Sequence, residues 1–177
     1  MKINKLSELF DINFTPARYK EILKFFKLCI KYHSRLFDDN FFSENFSTPE
    51  KFLNFIKKFK NNIYFIILGK DEKFAGFFYL YDIKKIPNNF YDAKVTFCIC
   101  RPYWGFGSYA MAKKGLRFLF EIMRVRKLTI EIVGENSYAW KLIEKLEFEY
   151  EATLKKECFK SGRAENLYIF SKFNPAI

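Results

Sequence analysis

Gly105-Phe106-Gly107 is the segment of this sequence whose residue types and position most directly suggest chemistry. It follows a strand-like run at residues 94–100 and precedes a long amphipathic run, typical of a helix, that begins near Ser108. Two glycines between a strand and the N-terminus of a helix allow several backbone N–H groups to converge on one point. Because such N–H groups carry partial positive charge, the segment is predicted to bind phosphate.

A second motif follows after one more helix-like run and one more strand-like run. It covers residues 135–148 and reads ENSYAWKLIEKLEF. Ala139, Leu142, Ile143 and Leu146 share one helical face, so this motif predicts a short helix directly after a strand. A lone Gly-x-Gly occurs by chance in many loops. The first motif is significant because the second motif follows it in this order.

The hydrophobic pattern predicts the elements that must position these motifs. Strands are predicted, in chain order, at residues 10–14, 63–68, 74–81, 92–100, 128–133, 149–159 and 167–173. Helices are predicted to begin at Pro16, after Thr48 as N-cap, near Ser108 and after Asn136. A hairpin turn is expected at residues 69–73, and residues 34–47 are expected to be irregular. The expected fold is a single α/β domain spanning all 177 residues, with a mixed sheet of six to seven strands and helices on both faces.

The composition restricts the function classes. Half of the 177 residues are hydrophobic and 24 are Phe, so extensive disorder is not expected. No apolar run approaches the ~18 residues that cross a bilayer, and the N-terminus lacks the apolar stretch of a signal peptide. A cytoplasmic location without a membrane partner is therefore expected. The single histidine, His33, and four cysteines without ligand spacing argue against a metal site and against a Ser-His-Asp mechanism.

The formal net charge of +11 has two interpretations. A basic surface holds nucleic acid or attracts an acidic ligand. Alternatively, the joint abundance of Lys, Asn, Phe and Ile indicates a general composition bias, with Lys spread over solvated faces. The sequence contains no dense basic block and no aromatic–basic repeat, so nucleic acid is the less favoured partner.

Taken together, the element order and the motifs resemble the GNAT superfamily of acetyl-coenzyme A-dependent N-acetyltransferases. Residues 103–107 resemble its pyrophosphate-binding loop, residues 135–148 its Asn-containing helix, and residues 161–168 the closing segment of the branch that acetylates ribosomal protein N-termini. The resemblance implies a GNAT-like fold in which a primary amine directly attacks the thioester of acetyl-coenzyme A, the co-substrate. Acceptor-side elements would occupy about residues 1–91, and the coenzyme-binding core about residues 92–173.

The resemblance also implies which groups bind the co-substrate. The strand before the loop would splay from its neighbour, and the main chain of Phe97, Cys98 and Ile99 would contact the pantetheine arm and stabilise the oxyanion. The diphosphate would be held by the N–H groups of Trp104, Gly105, Phe106, Gly107, Ser108 and Tyr109. The ring of Phe106 would face solvent or lie beside the adenine. Asn136 would hydrogen-bond the coenzyme arm, with helix N-capping as its alternative role.

The sequence departs from the family at positions linked to proton transfer. Ile143 stands where a tyrosine often protonates the leaving thiolate, and Ala139 stands where the N-terminal branch carries a serine. Lys94 occupies the position at which many members carry a basic carboxylate. Glu147 replaces a glycine, so a left-handed turn at this point would have to be made by a residue with a side chain.

Three residues are candidates for the missing catalytic roles. Glu131, on the strand beside the expected splay, is the first choice of general base, and a plain solvated carboxylate is the alternative. Asp92, two residues before Lys94 on the same strand face, is a substitute base. Tyr138 is a candidate acid. General acid–base assistance is typically worth about 10²–10⁴-fold, so these departures do not remove acetyl transfer.

The amine acceptor is less constrained than the donor. Aromatic residues of the first half would either line an apolar or amino-sugar site or fill the core: Phe37, Phe41, Phe42, Phe46, Phe77, Tyr79, Tyr81, Phe90 and Tyr91. The closing segment favours a peptide or protein N-terminus. The alternatives are an amino-sugar or other small-molecule amine, and a catalytically degenerate module that binds coenzyme A or nucleic acid. A homodimer is left open.

Overall fold

The computed structural model describes residues 9–11, 19–58, 63–68 and 74–177. The helices are α1 (Tyr19–Leu36), α2 (Asp39–Asn45), α3 (Pro49–Lys58), α4 (Phe106–Glu121) and α5 (Ser137–Lys145). The strands are β1 (Leu9–Asp11), β2 (Ile63–Leu68), β3 (Phe74–Ile86), β4 (Phe90–Ile99), β5 (Val125–Val133), β6 (Glu149–Lys160) and β7 (Arg163–Phe173). No helix within these ranges is long and apolar enough to cross a membrane.

All seven strands form one sheet in the order β1-β2-β3-β4-β5-β7-β6. Every neighbouring pair is antiparallel except β4 and β5, which run parallel and are connected through α4. A parallel pair requires a crossover, and the amphipathic helix between the two strands supplies it. The prediction of a mixed sheet with six to seven strands is confirmed.

Helices cover both faces of the sheet, as predicted. On one face α4 and α5 contribute Leu116, Leu119 and Ile143 to a core that includes Leu128 of β5. On the other face α1, α2 and α3 pack an aromatic core against β3 and β4. Its buried rings include Phe37, Phe46, Phe77 and Tyr79, all members of the aromatic set that was considered for an acceptor wall. These four residues fill the core.

The expectation that residues 34–47 are irregular is wrong. Helix α1 continues to Leu36, and the seven-residue helix α2 follows it. Asp38 caps α2, because its Oδ1 accepts hydrogen bonds from the N–H groups of Asn40 and Phe41 at 3.1 and 3.0 Å. A helix of barely two turns shows almost no periodicity, and aromatic side chains on several sides hide what periodicity there is.

Other boundaries moved by a few residues. Thr48 caps α3 as predicted, since its Oγ1 accepts from the N–H of Lys51 at 3.2 Å. Helix α4 begins two residues before Ser108, β4 begins at Phe90 rather than at residue 92, and β5 begins at Val125 rather than at residue 128. The predicted strand residues 12–14, the helix start at Pro16 and the hairpin turn at residues 69–73 lie outside the described residues.

Candidate active site

Strands β4 and β5 diverge along their length. Their parallel pairing runs from Tyr91 opposite Val125 to Lys94 opposite Thr129 and stops there. On its other side β4 remains paired with β3 as far as Ile99. One edge of β4, from residue 95 onward, therefore faces a gap instead of a neighbouring strand. The splay that the family resemblance implied is present.

The direction of the backbone groups along β4 follows from one hydrogen bond at its end. The N–H of Cys100 donates to the carbonyl oxygen of Ala75 in β3 at 2.7 Å. Successive residues of a strand direct their N–H and C=O groups to opposite sides. The main-chain groups of Phe97 and Ile99 therefore face the gap, whereas those of Cys98 face β3. The carbonyl of Ile99 already accepts a hydrogen bond from the indole Nε1 of Trp104, at 2.8 Å.

The opposite wall of the gap is the end of β5. The N–H of Gly134 donates to the carbonyl oxygen of Asn166 in β7 at 2.9 Å. By the same alternation, the carbonyl of Val133 points away from β7 and into the gap. The ammonium of Lys160 donates to this carbonyl oxygen at 3.1 Å. No local sequence pattern indicates this contact, because Lys160 belongs to a hairpin two strands away from β4.

The loop after β4 turns sharply into α4 at Gly105. Its φ of +81° and ψ of −126° form a combination that residues with a side chain avoid. Gly105 is the N-cap of α4 and offers no side chain to satisfy the N–H groups of the first helical turn. Ser108 does not cap the helix either, since its Oγ donates to the carbonyl oxygen of Gly105 at 2.9 Å.

The internal hydrogen bonds of the loop narrow the predicted phosphate cradle. The N–H of Trp104 donates to Arg101 O at 3.1 Å and the N–H of Tyr109 to Gly105 O at 3.2 Å, so both groups are occupied. Four N–H groups, those of residues 105, 106, 107 and 108, have no hydrogen-bond acceptor among the described residues. Four adjacent unpaired donors at a helix N-terminus form an anion-binding geometry.

A cavity of about 310 Å³ connects the open strand edge to this helix start. Of the candidate site residues it is lined by Phe97, Cys98, Ile99, Trp104, Gly105, Ser108, Tyr109, Asn136 and Tyr138. Phe106 and Gly107 do not line it, and the side chain of Phe106 is 85% exposed to solvent. Glu131 and Asp92 do not line it either. The structure thus brings together most of the expected donor-binding residues and only one of the three catalytic candidates.

Asn136 performs the capping role that was considered for it. Its Oδ1 accepts a hydrogen bond from the N–H of Ala139 at 3.3 Å, at the start of α5. Its Nδ2 donates to the carbonyl oxygen of Arg35 at 3.1 Å and so ties α5 to the end of α1. The same side chain borders the cavity.

Arg35 is a site residue that sequence reasoning missed. Its guanidinium lies 5.0 Å from the ring centroids of both Trp104 and Tyr138, which are themselves 5.2 Å apart. Such cation–π contacts are worth about 0.5–1 kcal/mol each at exposed sites. Arg35 falls in the segment that was expected to be irregular, and its ring partners follow about 70 and 100 residues later, so no local pattern could have identified it.

Glu131 takes part in a charged network on the face of the sheet that α1 covers. Its Oε1 lies 2.7 Å from the ammonium of Lys94, and its Oε2 accepts from the hydroxyl of Tyr81 at 3.2 Å. Burial, followed by the charge of Glu131, raises the pKa of Tyr81, so this hydroxyl stays protonated and donates. Burial alone would lower the pKa of Lys94, but the hydrogen bond and charge of Glu131 outweigh it and the pKa is raised.

Asp92 lies at the other end of β4. Its Oδ1 accepts from Nε of Arg126 at 2.9 Å, which makes a two-point ion pair with a neighbouring residue of β5. Five residues separate it from Phe97, which corresponds to about 17 Å of extended strand. The structure does not bring Asp92 to the cavity.

Glu147 makes the turn after α5 without a glycine. Its φ is +59°, in the left-handed region, as the sequence required of a non-glycine residue at this point. Its carboxylate pairs with the ammonium of Lys172 at 3.1 Å, which holds the turn against β7.

Comparison with protein-family models finds a match over most of the chain. The model of the acetyltransferase (GNAT) domain matches residues 30–149. Comparison of the sequence with curated proteins finds no match.

Solved structures share the fold over almost the whole chain. A point mutant of spermidine N-acetyltransferase SpeG from Vibrio cholerae is 18% identical, covers 94% of each chain and has a TM-score of 0.75. The enzyme from the same organism in complex with CoA and spermine is 18% identical, with 95% of this chain and 96% of that chain covered and a TM-score of 0.72. Ribosomal-protein-S5-alanine acetyltransferase from Vibrio fischeri is 19% identical, with 94% and 92% covered and a TM-score of 0.71.

Proposed function

The chain belongs to the GNAT acetyltransferase family, and from this premise we propose that the gap between β4 and β5 binds acetyl-coenzyme A and presents its thioester to a primary amine. It is an N-acetyltransferase with acetyl-coenzyme A as co-substrate. We propose that about residues 92–173 bind the donor and that about residues 1–91 form the acceptor side.

The proposed site rests on two sets of main-chain N–H groups that have no acceptor among the described residues. One set lies on the open edge of β4, and the other lies at the start of α4. Phe97 and Ile99 direct N–H groups into the gap, where they can pair with the amides of a pantetheine arm or stabilise an oxyanion. At the helix start, where Gly105 and Ser108 line the cavity, the four free N–H groups of residues 105–108 suit a diphosphate. Both sets belong to the backbone, which explains why bulky Phe106 is compatible with the loop.

The acceptor amine must lose a proton, and we propose that Glu131 accepts it, directly or through water. Lys94 pairs with the carboxylate, and Tyr81 fixes its orientation. Positioning of amine and thioester supplies most of the rate, roughly 7–11 kcal/mol where it is well arranged. Tyr138, in the cavity wall, is the proposed proton donor to the leaving thiolate.

For the acceptor we propose the N-terminus of a peptide or protein. The closing segment, residues 161–168, resembles the branch that acts on ribosomal protein N-termini. It contacts the acceptor side, since the N–H of Gly162 donates to Oδ2 of Asp39 at 3.1 Å. A ribosomal-protein acetyltransferase shares the fold. Spermidine acetyltransferases share it equally well, which makes a small polyamine the second candidate.

The donor site is tested by two substitutions at one position. Phe106→Pro removes a single cradle N–H, yet proline is favoured in the first turn of a helix and Gly105 tolerates a following proline. Phe106→Ala is the matched control, because it removes an exposed ring and keeps the N–H. Isothermal titration with acetyl-coenzyme A should show about 10- to 100-fold weaker binding for Phe106→Pro, the value of a hydrogen bond to a charged group. Phe106→Ala should bind nearly as the wild type does.

A truncated donor sharpens this test. S-acetyl-N-acetylcysteamine lacks the diphosphate, so it should be used equally well by both variants. Equal acetyl-coenzyme A affinity of Phe106→Pro and Phe106→Ala would contradict the cradle. Absence of any binding to the wild type would contradict the proposed site altogether.

The acceptor is tested with a panel of amines in one thiol-release assay. We expect kcat/KM for short peptides with a free N-terminus to exceed that for spermidine and for glucosamine. A spermidine value at least about ten-fold higher, a difference of 1.4 kcal/mol, would replace the peptide assignment with the polyamine one. The transfer chemistry itself would stand in both cases.

A further inference from the structure

Lys160 occupies an unusual place for the last residue of a hairpin strand. Its ammonium donates to the carbonyl oxygen of Val133, which points into the gap between β4 and β5. Continued past its last pair, the parallel register would set Val133 opposite Cys98, between the two β4 residues whose N–H groups face the gap. The Lys160 nitrogen is thus hydrogen-bonded to the end of β5, the strand across the gap from the β4 edge that is proposed to hold the acyl group.

The shape of the β6–β7 hairpin directs the side chain of Lys160 toward the end of β5. The β6–β7 register shifts between Leu154 and Cys158, and Lys156 within that stretch has a φ of +55°. A bulge of this kind bends the strand and increases its twist. The tip is then fastened to α2 by the hydrogen bond from Gly162 N–H to Asp39. Lys160 is therefore held over the sheet.

The surroundings of Lys160 increase the neutral fraction of its amine. Burial lowers the pKa of Lys160, and the positive charge of Arg35 on α1 adds to this effect. Asp39 on α2, Glu165 on β7 and Cys158 on β6 act in the opposite direction without restoring the ordinary value. At a given pH more of the Lys160 amine is unprotonated, and hence nucleophilic, than for an exposed lysine.

We propose that Lys160 is itself an acetyl acceptor, modified by the donor bound in its own chain. The inference rests on the proposed donor site. The ammonium first releases one proton to solvent. The nitrogen then attacks the thioester carbonyl carbon, a C–N bond forms, the C–S bond breaks, and the second proton leaves the nitrogen for the thiolate. The products are Nε-acetyl-Lys160 and free coenzyme A thiol, and the side chain loses its positive charge.

The experiment is a time course of the full chain with acetyl-coenzyme A, followed by digestion after glutamate and peptide mass spectrometry. The peptide of residues 158–165 carries Lys160, and that of residues 152–157 carries Lys155 and Lys156, which are exposed on the same strand. We expect Lys160 to be acetylated at least about ten-fold faster than either control, because a positioned nucleophile reacts at high effective molarity. Its rate should not depend on protein concentration, and it should fall in Phe106→Pro as donor binding falls.

Two comparisons separate this reaction from ordinary chemical acetylation. In urea the three lysines should react equally, and Lys160→Arg should remove the fast phase while leaving acetyl-coenzyme A affinity intact. Labelling of Lys160 no faster than of Lys155 in the folded chain, or a rate that rises with protein concentration, would overturn the inference. If external amines are acetylated and Lys160 is not, the inference alone fails. If acetyl-coenzyme A does not bind, the inference and the proposed function fail together.

Discussion

The two ends of β4 are built from the same strand and serve opposite purposes. At its start, residues 91–94 are paired with β3 and with β5, and Asp92 is locked to Arg126. At its end, residues 95–99 keep β3 and lose β5, and the exposed edge borders a cavity. A paired edge satisfies its own backbone and leaves nothing for a ligand, whereas an open edge has hydrogen bonds to offer.

The difference also separates the two acidic residues that are candidates for the general base. Asp92 is bound to a cation at the closed end of the β4–β5 pair and does not line the cavity. Glu131 is also bound to a cation, but it lies two residues beyond the last β4–β5 pair, where the strands have begun to part. Position relative to the end of the pairing, rather than residue type, separates them.

The largest expected effect comes from substituting the two carboxylates that this comparison separates. Glu131→Gln should lower kcat by about 10²–10⁴-fold, roughly 3–5 kcal/mol of barrier, because it removes the proposed base without changing shape. Asp92→Asn should stay within about twofold, as expected of a residue away from the reaction. Steady-state kinetics with an accepted amine checks both, and equal losses would contradict the assignment of Glu131.

A smaller effect tests how the open end of β4 is held. A Cβ on Gly76 would lie 2.2 Å from the carbonyl oxygen of Cys98 and 2.9 Å from Cα of Ile99, both backbone atoms. Gly76→Ala should therefore push β3 from β4 and lower the free energy of unfolding by about 3 kcal/mol.

Gly107→Ala is its control. A Cβ there would meet only the Cβ of Tyr103, at 3.6 Å, so urea unfolding should show no loss of stability. If Gly76→Ala were as stable as the wild type, close contact with β3 would not be what holds the open end of β4 in place.

The smallest effect separates the two roles of Asn136. Asn136→Ala should cost about 1 kcal/mol of unfolding free energy through loss of the α5 cap. Asn136→Ser keeps a capping oxygen and loses the amide donor, so its stability should be close to that of the wild type. Both should weaken acetyl-coenzyme A binding if the amide contacts the donor. Unchanged binding by Asn136→Ser would make Asn136 a cap alone.

Much of the fold was predictable because its signals are local. Strand and helix periods and the Thr48 cap each depend on a few neighbouring residues. Helix α2 was missed because seven residues carry too little period. Hydrogen bonds inside the loop occupy two of the six N–H groups that were expected to form the cradle, and such bonds cannot be read from residue types.

The sequence by itself determined most of the segments that become strands and helices, and that a glycine turn leads into α4 after β4. Only the tertiary structure decided that pairing ends at Lys94 and Thr129, that Arg35 lies against Trp104 and Tyr138, and that Lys160 reaches Val133. Local conformation depends on the steric and hydrogen-bonding preferences of adjacent residues. Strand divergence and contacts between distant side chains depend instead on how the whole core packs, and no short window of sequence contains that information.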